Sequence, residues 1–154
     1  MHIVLFEPEI PPNTGNVARL CAATRTNLHL IEPLGFKLDD AQLKRAGMDY
    51  WQSVDWRSWP NWARFQEHLS AGARLWFVES NGPRLYTEAA FTHQDYLVFG
   101  RETAGLPSTL LTANRERWLR IPMANRDSRS LNLSNCVAIV LFEALRQQGF
   151  APEP

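Results

Sequence analysis

Residues 121–135, IPMANRDSRSLNLSN, run directly into CVAIVLFEALRQ and together contain a strand end, a polar loop and a helix start. Residues 117–121 (RWLRI) are β-prone, and Pro122 ends that run. The polar loop 125–130 is followed by several N-cap side chains, which predict a helix over 134–148. A strand-to-helix turn offers free backbone N–H groups to a ligand, although a purely structural cap explains the same residues equally well.

The rest of the sequence alternates between apolar runs and helical patterns. Strands are predicted at residues 2–6, 28–31, 74–79 and 95–99, and helices at 16–24, 39–45 and 108–113, while 85–91 is ambiguous. The proline-containing segment EPEIPPNTG is interpreted as a loop before the first helix. Alternating strands and helices predict an α/β fold with a mostly parallel sheet flanked by helices.

A segment at residues 50–62, YWQSVDWRSWPNW, carries four of the six tryptophans. It could form an aromatic platform on which nucleic-acid bases stack. The alternative is a strand and turn whose rings fill gaps in the core, with Trp62, Phe65 and Leu69 on one helix face. We favour packing, because aromatic residues at helical spacing are usually core residues.

Composition limits the class of protein further. A length of 154 residues suits a single domain, and a formal net charge of +0 gives no overall attraction to nucleic acid. The two cysteines lack CxxC spacing, no signal peptide is visible, and the longest apolar run is too short to span a membrane, so we expect a cytoplasmic protein. The last helix is apolar nearly all round between Cys136 and Phe142, which predicts cover by a second subunit, a homodimer.

Several common site motifs are missing. The sequence has no GxxxxGK[ST], no GxGxxG after the first strand, no HExxH and no GxSxG, and its four histidines have no metal-ligand spacing. Three loops remain at predicted strand ends, where open α/β sheets bind ligands. They follow Val78, Phe99 and Ile121. In the second, Gly100 and Gly105 bracket Glu102, a pattern that fits either a close approach of a ligand or a structural turn.

Three segments of the sequence resemble, in order, the three motifs of the SPOUT superfamily of RNA methyltransferases. They are NTGNVAR, FGRETAGLP and IPM…SRSLNLSN. Within it the chain looks like the SpoU-type ribose 2′-O-methyltransferases, and most like the small enzymes that modify the tRNA wobble nucleotide. The resemblance spans almost the whole sequence. It implies one methyltransferase domain over residues 1–154 without a separate RNA-binding domain, and a deep trefoil knot formed by the C-terminal third.

The resemblance also implies a reaction and its partners. The expected activity is S-adenosylmethionine-dependent methylation of the ribose 2′-oxygen of cytidine or uridine 34, with the tRNA anticodon stem-loop as substrate and no metal. By motif position, the cofactor is expected to contact Val78, Gly100, Ile121, Ser130 and Leu131. The apolar members of this set are expected to sandwich the adenine.

The catalytic residues carried over by motif position are Asn13, Arg19, Glu102 and Asn132. The family view gives Arg19 a central role, either as base or as a clamp on the neighbouring phosphate. Because a guanidinium group stays protonated in proteins, we favour the clamp, with Asn13 and Glu102 orienting it. Arg19, Arg126 and Arg129 are the candidates for RNA contacts, since arginine presents a planar fork of donors to phosphate.

The sequence leaves three alternatives to this function. The chain could methylate another tRNA or rRNA position, or it could be a non-catalytic RNA-binding module that uses the tryptophan-rich segment and the arginines. An oxidoreductase that binds a dinucleotide at the same strand ends is the third, and the missing GxGxxG argues against it.

Overall fold

The computed structural model describes residues 1–37, 51–125, 127 and 130–150. Within these ranges seven strands form one sheet in the order β3-β2-β1-β6-β4-β7-β5, and every pairing between neighbours is parallel. The strands are β1 His2–Phe6, β2 Asn27–Ile31, β3 Trp56–Trp59, β4 Leu75–Val78, β5 Arg84–Leu85, β6 Tyr96–Phe99 and β7 Trp118–Arg120. The predicted α/β class with a mostly parallel sheet is confirmed.

Helices cover both faces of this sheet. They are α1 Pro11–Thr24, α2 Trp62–His68, α3 Ser108–Ala113 and α4 Leu133–Gln147, and short 3-10 turns lie at Trp51–Ser53, Tyr86–Glu88 and Arg115–Arg117. The ambiguous segment 85–91 therefore contains the end of β5, a 3-10 turn and three residues without regular secondary structure. The helix predicted at 39–45 lies outside the described residues.

Alternating strand residues feed two separate cores. In β1, Ile3 and Leu5 pack with α1 and α4 on one face, while Val4 and Phe6 pack with α2 and α3 on the other. All four side chains are buried, as expected for a parallel strand covered on both sides. The sheet is thereby held rigidly from both faces, and its carboxyl edge is free to carry polar loops.

The first helix begins earlier than the sequence suggested. The segment EPEIPPNTG was expected to be a loop up to residue 15, but α1 starts at Pro11. Two prolines occupy its first positions, where no backbone N–H is needed and the fixed φ already suits a helix. Asn13 consequently lies in the first turn of α1 rather than in a loop.

The last helix begins at Leu133, one residue before the predicted start, and its N-cap is Asn132. The Asn132 side chain accepts a hydrogen bond from the Ser134 N–H at 2.9 Å, which satisfies one of the free donors at the helix start. One face of α4 is buried in the core, whereas Phe142 stays 49% exposed on another. The apolar stretch is therefore covered on one face only within the described chain.

The four tryptophans of the segment pack against the two cores, as predicted. Trp59 and Trp62 pack beside Phe65, which is fully buried, and Trp51 and Trp56 pack on each other with ring centroids 4.4 Å apart. These rings fill the space around β3 and α2. The packing interpretation is confirmed over the base-stacking platform.

Candidate functional site

A cavity of about 490 Å³ opens at the carboxyl ends of β4, β6 and β7, beside the start of α1. This volume lies within the usual range for small-molecule sites, and the position is the one at which open parallel sheets bind ligands. Its described lining consists of strand-end, loop and helix-start residues: Ile10, Asn13, Val78, Glu79, Ser80, Phe99, Gly100, Arg101, Glu102, Thr103, Ala104, Gly105, Ile121, Met123, Ser130, Leu131, Asn132, Leu133 and Cys136.

All five residues predicted to contact the cofactor line this cavity. They come from three separate segments of the chain, the ends of β4 and β6 and the stretch between β7 and α4: Val78, Gly100, Ile121, Ser130 and Leu131. Val78 is buried, whereas Leu131 is 38% exposed at the opening. The apolar members can hold a flat ring, and the loop backbone between them can read its polar edge.

Gly100 is required by the backbone of its own loop. A Cβ atom at this position would lie 2.2 Å from the carbonyl carbon of Gly105, because the loop closes on itself there. Two backbone hydrogen bonds between Arg101 and Gly105 make that closure. The structural turn that the glycine pattern predicts is present, and it forms one wall of the cavity.

Glu79 was missed in the sequence, although it directly follows Val78 at a strand end. Its carboxylate accepts hydrogen bonds from the backbone N–H groups of Leu106 and Ser80, both at 3.0 Å. Gly105 has φ of +65°, and a Cβ there would lie 2.2 Å from Oε2 of Glu79. Glu79 therefore fixes the far side of the same loop. The rule that ligands bind at carboxyl strand ends could have identified it.

Three of the four predicted catalytic residues form one hydrogen-bonded chain. Asn132 Nδ2 donates to Asn13 Oδ1 at 2.9 Å, and Asn13 Nδ2 donates to Glu102 Oε1 at 3.1 Å. Asn13 is 5% exposed, so its amide is held in place by both partners. The chain joins the start of α1, the loop after β6 and the start of α4, which are far apart in sequence. It brings the three motifs together at the cavity.

Arg19 lies elsewhere on α1. It is an exposed residue six positions after Asn13, which at 100° per residue places the two side chains on different faces of the helix. It is not among the residues that line the cavity. Arg126 and Arg129, the other two predicted RNA contacts, fall outside the described residues.

The titratable groups in the cavity wall limit its chemistry. Burial, with a smaller contribution from the Glu79 carboxylate, raises the pKa of Cys136 to about 11, so this thiol is neutral at physiological pH and a poor nucleophile. No histidine occurs among the described residues that line the cavity. The arrangement is suited to holding and orienting a ligand rather than to covalent catalysis.

Residues 1–37, 51–125, 127 and 130–150 contain no group of three or more His, Cys, Asp or Glu side chains placed to hold a metal ion. Over the same ranges, every helix falls short of the length and apolarity needed to cross a bilayer.

Comparison with known proteins connects this geometry to a family. Residues 1–142 match the SpoU rRNA Methylase family. The chain is 52% identical to the tRNA (cytidine(34)-2′-O)-methyltransferase of Saccharophagus degradans, covering 97% of this chain and 97% of that protein. A solved structure concerned with the 2-OH methylation of C/U34 on tRNA superposes with a TM-score of 0.90 at 48% identity, covering 96% of this chain and 95% of the other.

A more distant structure adds a bound ligand. The AdoMet-bound rRNA methyltransferase from Sinorhizobium meliloti superposes with a TM-score of 0.78 at 26% identity, over 94% of this chain and 55% of that one. The similarity thus extends to a protein that was solved with the cofactor in place.

Proposed function

This chain belongs to the SpoU rRNA methylase family, and we propose that it methylates the ribose 2′-oxygen of nucleotide 34, cytidine or uridine, in tRNA. It is an S-adenosylmethionine-dependent RNA 2′-O-methyltransferase. The observation that carries the assignment is 52% identity over nearly the full length to a tRNA (cytidine(34)-2′-O)-methyltransferase. The motif residues that converge on the cavity support the same function.

The cavity residues fit S-adenosylmethionine. Val78, Ile121 and Leu131 provide apolar surface for the adenine, and the closed loop from Gly100 to Gly105 offers backbone groups to its edge. We propose these contacts together with Ser130 as the cofactor site. The cofactor supplies a methyl group on a positively charged sulfur, whose departure as a neutral thioether needs no general acid.

The protein must align the ribose 2′-oxygen with that methyl group and lower the cost of removing its proton. Asn13 and Asn132, fixed by their mutual hydrogen bond, are suited to orienting the ribose at the cavity opening. Glu102 holds Asn13 from the other side. Arg19 is proposed to clamp the neighbouring phosphate, where its positive charge stabilises the developing alkoxide.

RNA binding is proposed to depend on local arginines, because the formal net charge of +0 provides no general attraction. Arg19, Arg126 and Arg129 are the proposed phosphate contacts. A wobble nucleotide lies in a single-stranded anticodon loop, where a base can be turned outward without breaking a duplex. One domain over residues 1–154 is proposed to grip that loop.

The strand order supports the proposed trefoil knot. β7 lies between β4 and β5, two strands that precede it in the sequence, so the chain returns between segments that are already in the sheet. The loop after β7 then reaches the same cavity as the loop after β6. We propose that the C-terminal third is threaded as a deep trefoil knot, which would hold these loops together.

A homodimer is proposed because α4 leaves apolar surface uncovered. Phe142 and Phe150 are each 49% exposed, and their ring centroids are 6.3 Å apart. A second copy could bury both rings. Sedimentation at micromolar concentration should give about twice the 17.7 kDa chain mass, and a monomer would contradict the proposal.

The cytoplasm is the proposed location, since tRNA occurs there and Cys21 and Cys136 are free thiols.

The decisive experiment is nucleoside analysis of tRNA incubated with the protein and labelled S-adenosylmethionine. We expect 2′-O-methylated cytidine or uridine at position 34. A methyl group on a base, or on a ribose outside the anticodon loop, would contradict the substrate while leaving the family unchanged. Thermal melting of the protein in the presence of S-adenosylmethionine or of NAD provides a second check. We expect S-adenosylmethionine, and not NAD, to raise the melting temperature, because only a ligand that binds the folded protein does so.

A further inference from the structure

Two glutamates tie the loop after β1 to the loop after β6 by hydrogen bonds that run in opposite directions. Glu102 Oε2 accepts from the Glu9 N–H at 2.8 Å, and Glu102 Oε1 accepts from the Ile10 N–H at 3.2 Å. In return, the Glu9 carboxylate accepts from the Thr103 N–H at 3.0 Å and from the Thr103 hydroxyl at 2.8 Å. We call this arrangement of Glu9, Ile10, Glu102 and Thr103 the crossed clamp.

The crossed clamp holds the start of α1. Ile10 is the N-cap of that helix, and the Glu102 carboxylate from the other loop accepts the backbone N–H of Ile10 itself, one of the donors that has no partner within the helix. A carboxylate is also favoured near the positive end of a helix dipole. The helix seated in this way carries Asn13 and Arg19.

The loop after β6 does not need the clamp to stay closed. Its two backbone hydrogen bonds between Arg101 and Gly105, and the Leu106 N–H bond to Glu79, hold it independently. The start of α1 is joined to this loop by both halves of the clamp. Loss of the Glu9 side chain removes the two Thr103 hydrogen bonds and leaves the Glu102 bonds to the backbone N–H groups of residues 9 and 10. We therefore expect the helix start to shift against the loop after β6 while the cofactor side of the cavity keeps its shape.

We propose that Glu9 is a positioning residue for methyl transfer, acting with Thr103 to set the start of α1 relative to the cofactor cavity. This inference rests on the proposed function, because its consequence is expressed in the methylation rate. Glu9 contacts neither the proposed cofactor residues nor the reacting atoms; it acts through α1. A displacement of about 1 Å at a reacting centre can cost about 100-fold in rate, so a loosened helix start should be visible in kcat.

Removal of the clamp should leave the fold intact. The body of α1 is anchored by Val17, Ala18 and Cys21, each 0% exposed. The loop after β1 keeps two further contacts, the Arg101–Glu7 ion pair at 3.1 Å and the hydrogen bond from the Gly35 N–H to the Pro8 carbonyl at 2.9 Å. Variants at Glu9 are therefore suitable for kinetic analysis.

The test compares Glu9→Ala with Glu67→Ala, a control that removes an exposed glutamate paired with Arg64 on α2. For Glu9→Ala we expect kcat to fall about tenfold, equivalent to about 1.4 kcal/mol, with less than about a twofold change in S-adenosylhomocysteine affinity. Hydrogen exchange at the Thr103 N–H should become faster. The Glu67 variant should match the wild type in all three measurements.

Thr103→Val sharpens the result, because it removes the hydroxyl but keeps the backbone N–H. Combined with Glu9→Ala it should cost little more than Glu9→Ala alone, since both changes break the same clamp. An unchanged kcat for Glu9→Ala would overturn the inference. Equal losses in kcat and cofactor affinity would also overturn it, because they would show that Glu9 only supports the wall of the cofactor cavity. A wild type that leaves nucleotide 34 unmethylated would instead overturn the proposed function, and Thr103 exchange would still report on the clamp.

Discussion

The hydrogen-bonded chain at the cavity differs in an instructive way from a second polar cluster on the α2 face of the sheet. That cluster consists of His2, His29, Trp59 and Tyr96. His2 Nδ1 and His29 Nε2 are 3.0 Å apart, Trp59 Nε1 donates to His29 Nδ1 at 3.2 Å, and His2 stacks on Tyr96 with ring centroids 4.2 Å apart. Aromatic rings close it off, and none of its members lines the cavity.

The donor pattern fixes the protonation state of these histidines. An indole N–H can only donate, so Nδ1 of His29 is an acceptor and its proton lies on Nε2, from which it is donated to Nδ1 of His2. Burial is the main cause that lowers the pKa of His29 to about 3 and that of His2 to about 4. Both rings are neutral at physiological pH.

The comparison shows that a perturbed pKa by itself does not mark the active site. The histidines have the chemistry of an acid–base pair, but His29 is buried in the core, His2 is half-buried beside it, and neither lines the cavity. The amides and carboxylate at the cavity come from the start of α1, the loop after β6 and the start of α4, and they border open space. A polar group at the carboxyl edge of the sheet has the position at which open parallel sheets bind ligands, whereas the histidine cluster does not.

The largest effect should come from disrupting the cavity wall. Gly100→Val places a side chain against the Gly105 backbone and should reduce S-adenosylhomocysteine affinity at least about 100-fold, because the loop cannot close. Isothermal calorimetry measures this. Gly149→Asn is the control, since nothing lies within 4 Å of that position and asparagine tolerates its positive φ. Unchanged affinity in the Gly100 variant would remove the loop from the cofactor site.

Arg19→Ala should separate catalysis from cofactor binding. We expect kcat to fall about 100-fold because a charge that stabilises the transition state is lost, with S-adenosylhomocysteine affinity within about twofold of wild type. The measurement pairs methylation kinetics on tRNA with calorimetry. Arg64→Ala, at an exposed arginine on α2, is the matched control. Parallel losses of rate and cofactor affinity would argue against the phosphate clamp.

Asn132 both caps α4 and donates a hydrogen bond to Asn13, and two substitutions can separate these two roles. Asn132→Ala should lower stability by about 1 kcal/mol through the lost helix cap and reduce kcat about tenfold through the lost bond to Asn13. Asn132→Ser retains a capping oxygen but cannot reach Asn13 as the amide does. It should recover most of the stability without the activity. Thermal melting and kinetics provide the two readouts, and full activity in Asn132→Ser would exclude the Asn13 bond from catalysis.

The smallest effect on activity is expected from the histidine cluster, whose titration should appear only in stability. An unfolded histidine has a pKa of about 6.5, whereas the folded values are about 3 and 4. At pH values between the folded and unfolded pKa, the two histidines are protonated in the unfolded chain but not in the folded chain. The contribution of these histidines to the free energy of unfolding is therefore complete above pH 6.5 and is lost as the pH falls through the folded pKa values of about 4 and about 3.

Melting temperatures measured from pH 7 to pH 4.5 test this dependence. His29→Gln should flatten the decrease relative to wild type and leave methylation at pH 7 unchanged, because the cluster is outside the cavity. A decrease of equal slope in both proteins would show that other groups control the acid response. Loss of methylation at pH 7 in His29→Gln would show that the histidine cluster also affects activity, contrary to the distinction drawn between it and the cavity residues.

Much of the site could be predicted because its parts are local sequence patterns. Val78, Gly100 and Ile121 stand at the ends of apolar runs that form strands, and the parallel class places such ends at one edge. The predicted start of α1 was wrong because two prolines were interpreted as part of a loop, although prolines suit the first positions of a helix. Glu79 was missed because its partners, the N–H groups of Ser80 and Leu106, are backbone groups without a sequence signature.

The sequence by itself determined the α/β class, the apolar strands and the motif residues, since each depends on the side-chain pattern within a few neighbouring positions. Only the tertiary structure decided which of those residues meet. Asn13 bonds Asn132 and Glu102 across separations of 119 and 89 residues, and Glu9 bonds Thr103 across 94. Contacts at such separations depend on strand order and crossover path, which no local pattern specifies.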